Sequence, residues 1–194
     1  MAEQIEISTG AETESKPKPR QLPAWVIVLA FVVLAGFMAL IGWGLGRSMR
    51  GSIAVGDPVP SFTVSTFDGQ AFSTQSNAGK VMLINFWASW CKPCEQEARE
   101  LESAYQHYKT NSDVVFIGLA YVDTEPNSLS YLERFGITYA NGPDLATKVS
   151  QMFRVRGVPE TYVIDRSGKL AYVKIGPFSS TEEIISAIDS VLAK

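Results

Sequence analysis

The stretch Val81 to Glu97, VMLINFWASWCKPCEQE, constrains this chain more than any other. Val81 to Trp87, apolar except for Asn85, reads as a buried strand, Ala88-Ser89 breaks the run, and Trp90-Cys91-Lys92-Pro93-Cys94 opens a charged helix. Both cysteines of the chain fall here, two residues apart. After a strand and at a helix start, Cys-x-x-Cys is a thiol-disulfide redox motif. The helix start offers free N–H groups and partial positive charge, which favour a thiolate on Cys91, and Lys92 adds a full charge beside it. Cys91 is therefore the expected attacking sulfur. Pro93 suits the first helical turn, where its missing N–H costs nothing, and Cys94 is the expected resolving thiol of a Cys91–Cys94 redox disulfide. Glu97 follows Cys94 by three residues and so shares its face of the helix. A carboxylate there disfavours the thiolate and can relay a proton during exchange.

The 194 residues allow one domain of ordinary size and an appendage. A net charge of −3 and the lack of a Lys/Arg-rich block argue against nucleic acid as a partner. No metal and no cofactor beyond the redox disulfide are expected. Two thiols are half of a four-ligand zinc shell, and His107, the only histidine, reads as a solvated helix residue.

Residues 1–21 are charged and proline-containing with little apolar content, which reads as a disordered tail. The 25 residues from Leu22 to Gly46 carry no charge, enough at about 1.5 Å per residue to cross a ~30 Å hydrocarbon core. Trp25 and Trp43 stand near the two ends, as interfacial aromatics do. The run exceeds the roughly 7–15 apolar residues of a signal peptide and ends Gly-Leu-Gly-Arg, so an uncleaved transmembrane helix over 22–46 is expected. Lys16, Lys18 and Arg20 before it, against Arg47 and Arg50 after it, favour a cytoplasmic N-terminus by one charge. Residues 47–55 read as a linker that keeps a domain over 56–194 within roughly 30 Å of the bilayer.

Within that domain, Phe62 to Thr66 alternates, Phe67-Asp68-Gly69-Gln70 turns, and Ala71-Phe72-Ser73 completes a hairpin. A helix is expected over 93–108, and Val114 to Ala120 reads as a strand buried on both faces. Further helices are expected over 127–135, stopped by Gly136, and over 144–153. Glu160 to Ile164 and Lys169 to Ile175 form a second hairpin, and Ser180-Thr181-Glu182-Glu183 caps a last amphipathic helix. The order is that of an α/β domain around a mixed sheet.

Four motifs, in this order, carry a resemblance: Gly56-Asp57-Pro58 with its hairpin, Asn85 to Cys94, Gly157-Val158-Pro159-Glu160-Thr161, and Ile164-Asp165 before Ser167-Gly168-Lys169. From Gly56 to its end the chain resembles the membrane-anchored thioredoxin-like proteins of the TlpA, ResA and CcmG (DsbE) type. The resemblance implies a thioredoxin-like fold, a central mixed sheet flanked by helices, with an N-terminal β-hairpin and a helix insert. It places the domain on the outer, periplasmic side of a bacterial cytoplasmic membrane. It implies reduction of disulfides in exported proteins, above all the haem-attachment cysteines of apocytochrome c, with a membrane thiol transporter as electron donor.

The same resemblance makes Pro159 a cis-proline facing the cysteines, and lets the Val158 backbone pair with an extended substrate. Trp90, Lys92 and Pro93 line the substrate side, and Trp87 packs in the core. Glu160 follows the CcmG pattern Pro-Glu-Thr, which puts it by the groove to meet a partner or tune the thiols, or leaves it a strand-edge charge. Cytosolic thioredoxins carry a buried aspartate where this chain has Asn85, so Glu97 becomes the proton-handling candidate. Two other readings stay open. A peroxiredoxin-like peroxidase needs a hydroxyl residue three before the reactive cysteine, where Ala88 stands, and a copper-delivery module for a respiratory oxidase lacks its Met/His cluster.

Overall fold

A computed structural model describes residues 23–48 and 53–193, and the chain divides into two units between residues 50 and 51. The expected tail, 1–21, and part of the expected linker lie outside the described residues. The first unit is helix α1, Ala24–Ser48. Its segment Ala24–Gly44 is 21 residues long, apolar, and not buried by protein, so by length and composition it can cross a membrane.

The second unit is built on a five-stranded sheet. In chain order its elements are β1 Thr63–Ser65, β2 Ala71–Ser73, β3 Val81–Trp87, α2 Lys92–Tyr108, β4 Val114–Ala120 and α3 Glu125–Phe135. There follow β5 Ala140–Pro143, a 3-10 turn Leu145–Thr147, α4 Lys148–Phe153, β6 Glu160–Ile164, β7 Leu170–Ile175 and α5 Thr181–Leu192. The sheet runs β5-β4-β3-β6-β7, with β3, β4 and β5 parallel and β6 and β7 antiparallel to their neighbours. β1 and β2 pair as a separate hairpin. This is the thioredoxin-like arrangement with a leading hairpin, and α3 with β5 forms the insert.

β3 is central and buried at all seven positions, so its alternation supplies two cores. Val81 and Leu83 pack with Leu101, Ala104, Ile184 and Ile188 under α2 and α5. Met82, Ile84 and Phe86 pack on the other face with Phe153, Tyr162 and the hairpin's Phe62 and Phe72. Asn85 shares the parity of Val81 and Leu83, and this sends its amide toward α2.

Two elements differ from expectation. The expected helix 144–153 is split, because Ala146 and Thr147 take left-handed φ of 54°. Buried Asp144 causes the restart: its carboxylate accepts from Val149 N at 2.8 Å and Ser150 N at 2.9 Å, capping α4 from four residues before it. β5, Ala-Asn-Gly-Pro, is not among the expected elements and is a strand because β4 offers it a parallel edge.

Candidate active site

Cys91 and Cys94 are joined in a disulfide at the C-terminal end of β3. Cys91 is the N-cap of α2, and its Sγ accepts the Cys94 N–H at 3.1 Å. In the reduced protein the same N–H and the helix terminus favour a thiolate on Cys91 rather than on Cys94. Both cysteines are buried, while Trp90 beside them is 59% exposed and donates its indole N–H to the Val122 carbonyl at 3.0 Å. Lys92 and Pro93 are exposed, and Lys92 pairs with Glu95 at 3.3 Å.

β6 starts on the opposite side of the pair. It runs antiparallel to β3 with Glu160 opposite Phe86, which brings the residues ahead of it to the end of the sheet where the cysteines lie. The Val158–Pro159 peptide is cis, and the Val158 carbonyl oxygen is 3.5 Å from Cys91 Sγ. Pro159 O accepts from Gly176 N at 3.0 Å, so the loop after β7 backs the proline. Cys91, Cys94, Trp90, Val158 and Pro159 therefore meet at one pole of the sheet.

Glu97 is 1% exposed one turn below Cys94. Its two oxygens accept from Asn85 Nδ2 and from Phe178 N, each at 2.9 Å. The Asn85 amide also donates to Thr161 Oγ1 at 2.9 Å, tying β3, β6 and α2 together at this point. Burial pushes the Glu97 carboxyl up to about 7, and the donors only partly offset it. A carboxyl that titrates near neutrality beneath a dithiol can take up and return a proton.

Glu160 does not stand at the groove. It is 3% exposed, accepts from Arg156 N at 3.0 Å and Gly157 N at 3.3 Å, and receives the Tyr162 hydroxyl. Its carboxylate is used up in holding the turn into Val158-Pro159. Its expected contact with a partner is thus replaced by a supporting one.

Two further residues support the motif. Asp123, after β4, accepts from Ser89 N at 2.6 Å and from Ser89 Oγ at 2.9 Å, clamping the bend that precedes the cysteines. The peroxidase reading gains nothing here, since Ala88 is buried and the Ser89 hydroxyl is held by Asp123. Tyr131, on α3, stacks on Trp87 at 4.5 Å and donates its hydroxyl to the Cys94 carbonyl at 2.9 Å. Both contacts need the pairing of β3 with β4 and the packing of α3, which no local spacing announces.

Residues 54–192 match the Redoxin family. The thiol-disulfide oxidoreductase ResA of Geobacillus thermodenitrificans is 27% identical over 168 residues, 85% of this chain and 95% of its own. The thiol:disulfide interchange protein DsbE of Allochromatium vinosum is 32% identical over 157 residues, 77% of this chain and 82% of its own. A thioredoxin-family thiol:disulfide interchange protein from Chlorobium tepidum has a crystal structure that matches with a TM-score of 0.65 at 28% identity, over 73% of this chain and 99% of its own. With a cysteine pair at the start of α2 on this fold, the chain belongs to the Redoxin family and is a thiol-disulfide oxidoreductase.

Proposed function

We propose that the chain is a membrane-tethered reductase of disulfides in exported proteins, with the haem-attachment cysteines of apocytochrome c as its foremost substrate. The observation that carries the reading is the placement of Cys91 Sγ, on the helix N–H and 3.5 Å from the carbonyl ahead of cis-Pro159. A substrate strand laid along Val158 presents its disulfide to that sulfur. The Cys91 thiolate attacks one substrate sulfur, forming a mixed disulfide and releasing the other as a thiolate, which takes a proton from solvent. Glu97 accepts the Cys94 proton, and the Cys94 thiolate then attacks Cys91 Sγ. That closes the Cys91–Cys94 bond and expels the second substrate thiolate, so two electrons leave the protein for the substrate. Trp90, Lys92 and Pro93 line the approach, and a membrane thiol transporter returns the electrons. The α1 helix is the anchor, with the N-terminus cytoplasmic and the catalytic unit outside.

Cys94→Ser tests this directly. Without the resolving sulfur, Cys91 should accumulate as mixed disulfides with exported cysteine-containing proteins, recoverable on non-reducing gels and released by dithiothreitol. A trap that holds only cytoplasmic proteins, or nothing, overturns the reading. A redox titration of the full chain should give a potential nearer about −270 mV than about −120 mV; the latter value would make it an oxidant.

A further inference from the structure

Strand register places Asn85 of β3 opposite Thr161 of β6, and Thr161 opposite Lys174 of β7. Residues directly opposite share a face of a sheet, so the three side chains stand in one row. At one end of the row Asn85 donates to Glu97 of α2, and at the other Lys174 pairs with Glu183 in the first turn of α5. Glu183 Oε2 accepts from Ser179 N at 2.8 Å, and the preceding amide, Phe178 N, donates to Glu97 Oε2 at 2.9 Å. Lys174 Nζ also lies 5.4 Å from the centre of the Phe178 ring. The row and the Phe178-Ser179 backbone thus join the Lys174–Glu183 pair to Glu97 from two sides.

The elements packed around Glu97 differ in the charge they bring. β3 and β6 bring the uncharged Asn85 and Thr161. α3 and β5 bring Tyr131 and Tyr139, whose hydroxyls burial holds above the usual phenol range, so both stay neutral. On α2, Glu100 is taken up by Thr181 N at 2.9 Å and by the Thr181 hydroxyl, and Glu95 pairs with Arg134 at 2.6 Å. β7 brings Lys174 and α5 brings Glu183, and their hydrogen bond keeps each ionised, shifting the lysine up and the glutamate down. Burial is the main force raising Glu97; on top of it Lys174 favours the carboxylate and Glu183 opposes it. The two side chains are 24% and 31% exposed, so they can be changed without opening a core.

We propose that Lys174 and Glu183 are positioning residues for the exchange reaction, a charge pair that governs when Glu97 is free to take the Cys94 proton. An ionised Glu97 accepts that proton and leaves a Cys94 thiolate able to resolve the mixed disulfide; a protonated Glu97 leaves Cys94 as a thiol. Lys174 holds Glu97 in the accepting form and Glu183 restrains it, so the balance of the pair sets the pH range of resolution. The inference rests on the proton-accepting role given to Glu97 and names the residues that regulate it.

The test compares Lys174→Met, Lys174→Arg and Glu183→Gln in the reduced full-length chain in neutral detergent. The Glu97 carboxyl is titrated by carbon NMR of glutamate-labelled protein, its signal identified by its absence in Glu97→Gln, and the rate of reduction of a peptide disulfide is followed over the same pH range. Lys174→Met should raise the Glu97 midpoint by about 0.5 pH unit or more and Glu183→Gln should lower it by a similar amount, while Lys174→Arg stays within about 0.2 unit of the unaltered chain. The opposite signs are decisive, because both Lys174→Met and Glu183→Gln break the same ion pair and a purely structural role would move the midpoint one way in both. A midpoint that stays put in either of these two, that moves the same way in both, or that moves in Lys174→Arg as in Lys174→Met overturns the proposal. Carboxyl shifts with no matching shift in the pH profile of the rate would leave the control of Glu97 standing and overturn its proton-accepting role.

Discussion

Glu97 is buried with one donor on each oxygen, Asn85 Nδ2 and Phe178 N, and titrates near 7 because burial outweighs both. The sign of its effect on stability follows. Its folded pKa lies above the unfolded value of 4.5, so between about pH 4.5 and 7 the folded state holds more protons, and stability falls as pH rises through that window. The loss should reach about 3 kcal/mol by pH 8 and show as a falling denaturation midpoint, flattened in Glu97→Gln. That variant turns an amide N–H₂ toward one of the two donors, so its stability should also be lower at pH 5. Its thiol-disulfide exchange should lose an inflection near pH 7 and slow by about 10²-fold there, measured by stopped-flow reduction of a peptide disulfide. An unchanged pH profile would leave Glu97 a structural acid. The i, i+3 spacing from Cys94 makes Glu97 legible in the sequence, but its donors are 12 and 81 residues away and are not. Glu160 misleads for a related reason: its partners are backbone N–H groups of the turn before it, and a sequence does not show which way a strand's first side chain points.

Among the elements, the insert does more than cover the sheet. Trp87, at the end of β3, donates its indole N–H across β4 to Asn141 Oδ1 on β5 at 2.8 Å, and Tyr131 of α3 stacks on the same ring while holding the Cys94 carbonyl. The bond crosses Gly118, where an added Cβ would lie 1.9 Å from Asn141 Oδ1 and 2.8 Å from Trp87 Nε1. Gly118→Ala must therefore expel the Asn141 side chain and strand a buried indole N–H. It should cost about 3 kcal/mol in chemical denaturation, far more than alanine normally costs in a strand. Retention of stability within about 0.5 kcal/mol would mean that Asn141 has another place to go. β3, α2, β4 and the second hairpin are legible because period, caps and turn residues agree in each. β5 is not, since its four residues include Asn, Gly and Pro and its pairing is imposed by β4 and by the Trp87 bond.

At the scale of the whole molecule, what matters is where the chain enters the catalytic unit. Residues 56–59 bond to the β6–β7 turn, through Gly56 N to Leu170 O at 2.7 Å, Leu170 N to Asp57 O at 2.9 Å and Val59 N to Gly168 O at 3.0 Å. That turn follows Ile164, which pairs with Met82 at the start of β3, whereas the cysteines follow its end. The polypeptide thus joins the unit at the pole opposite its disulfide. The cores under α2 and α5 and under the hairpin contain no residue of α1, so loss of α1 should leave the unit folded. Val33→Lys with Leu34→Lys places two charges near the middle of Ala24–Gly44, at about 2.5–3.5 kcal/mol each on insertion scales. The unaltered chain should stay in the membrane pellet through an alkaline wash. The double variant should appear in the soluble fraction and still reduce a peptide disulfide. If the unaltered chain washes free, α1 does not span the bilayer, and the tethered part of the reading fails while the redox chemistry of Cys91 and Cys94 stands.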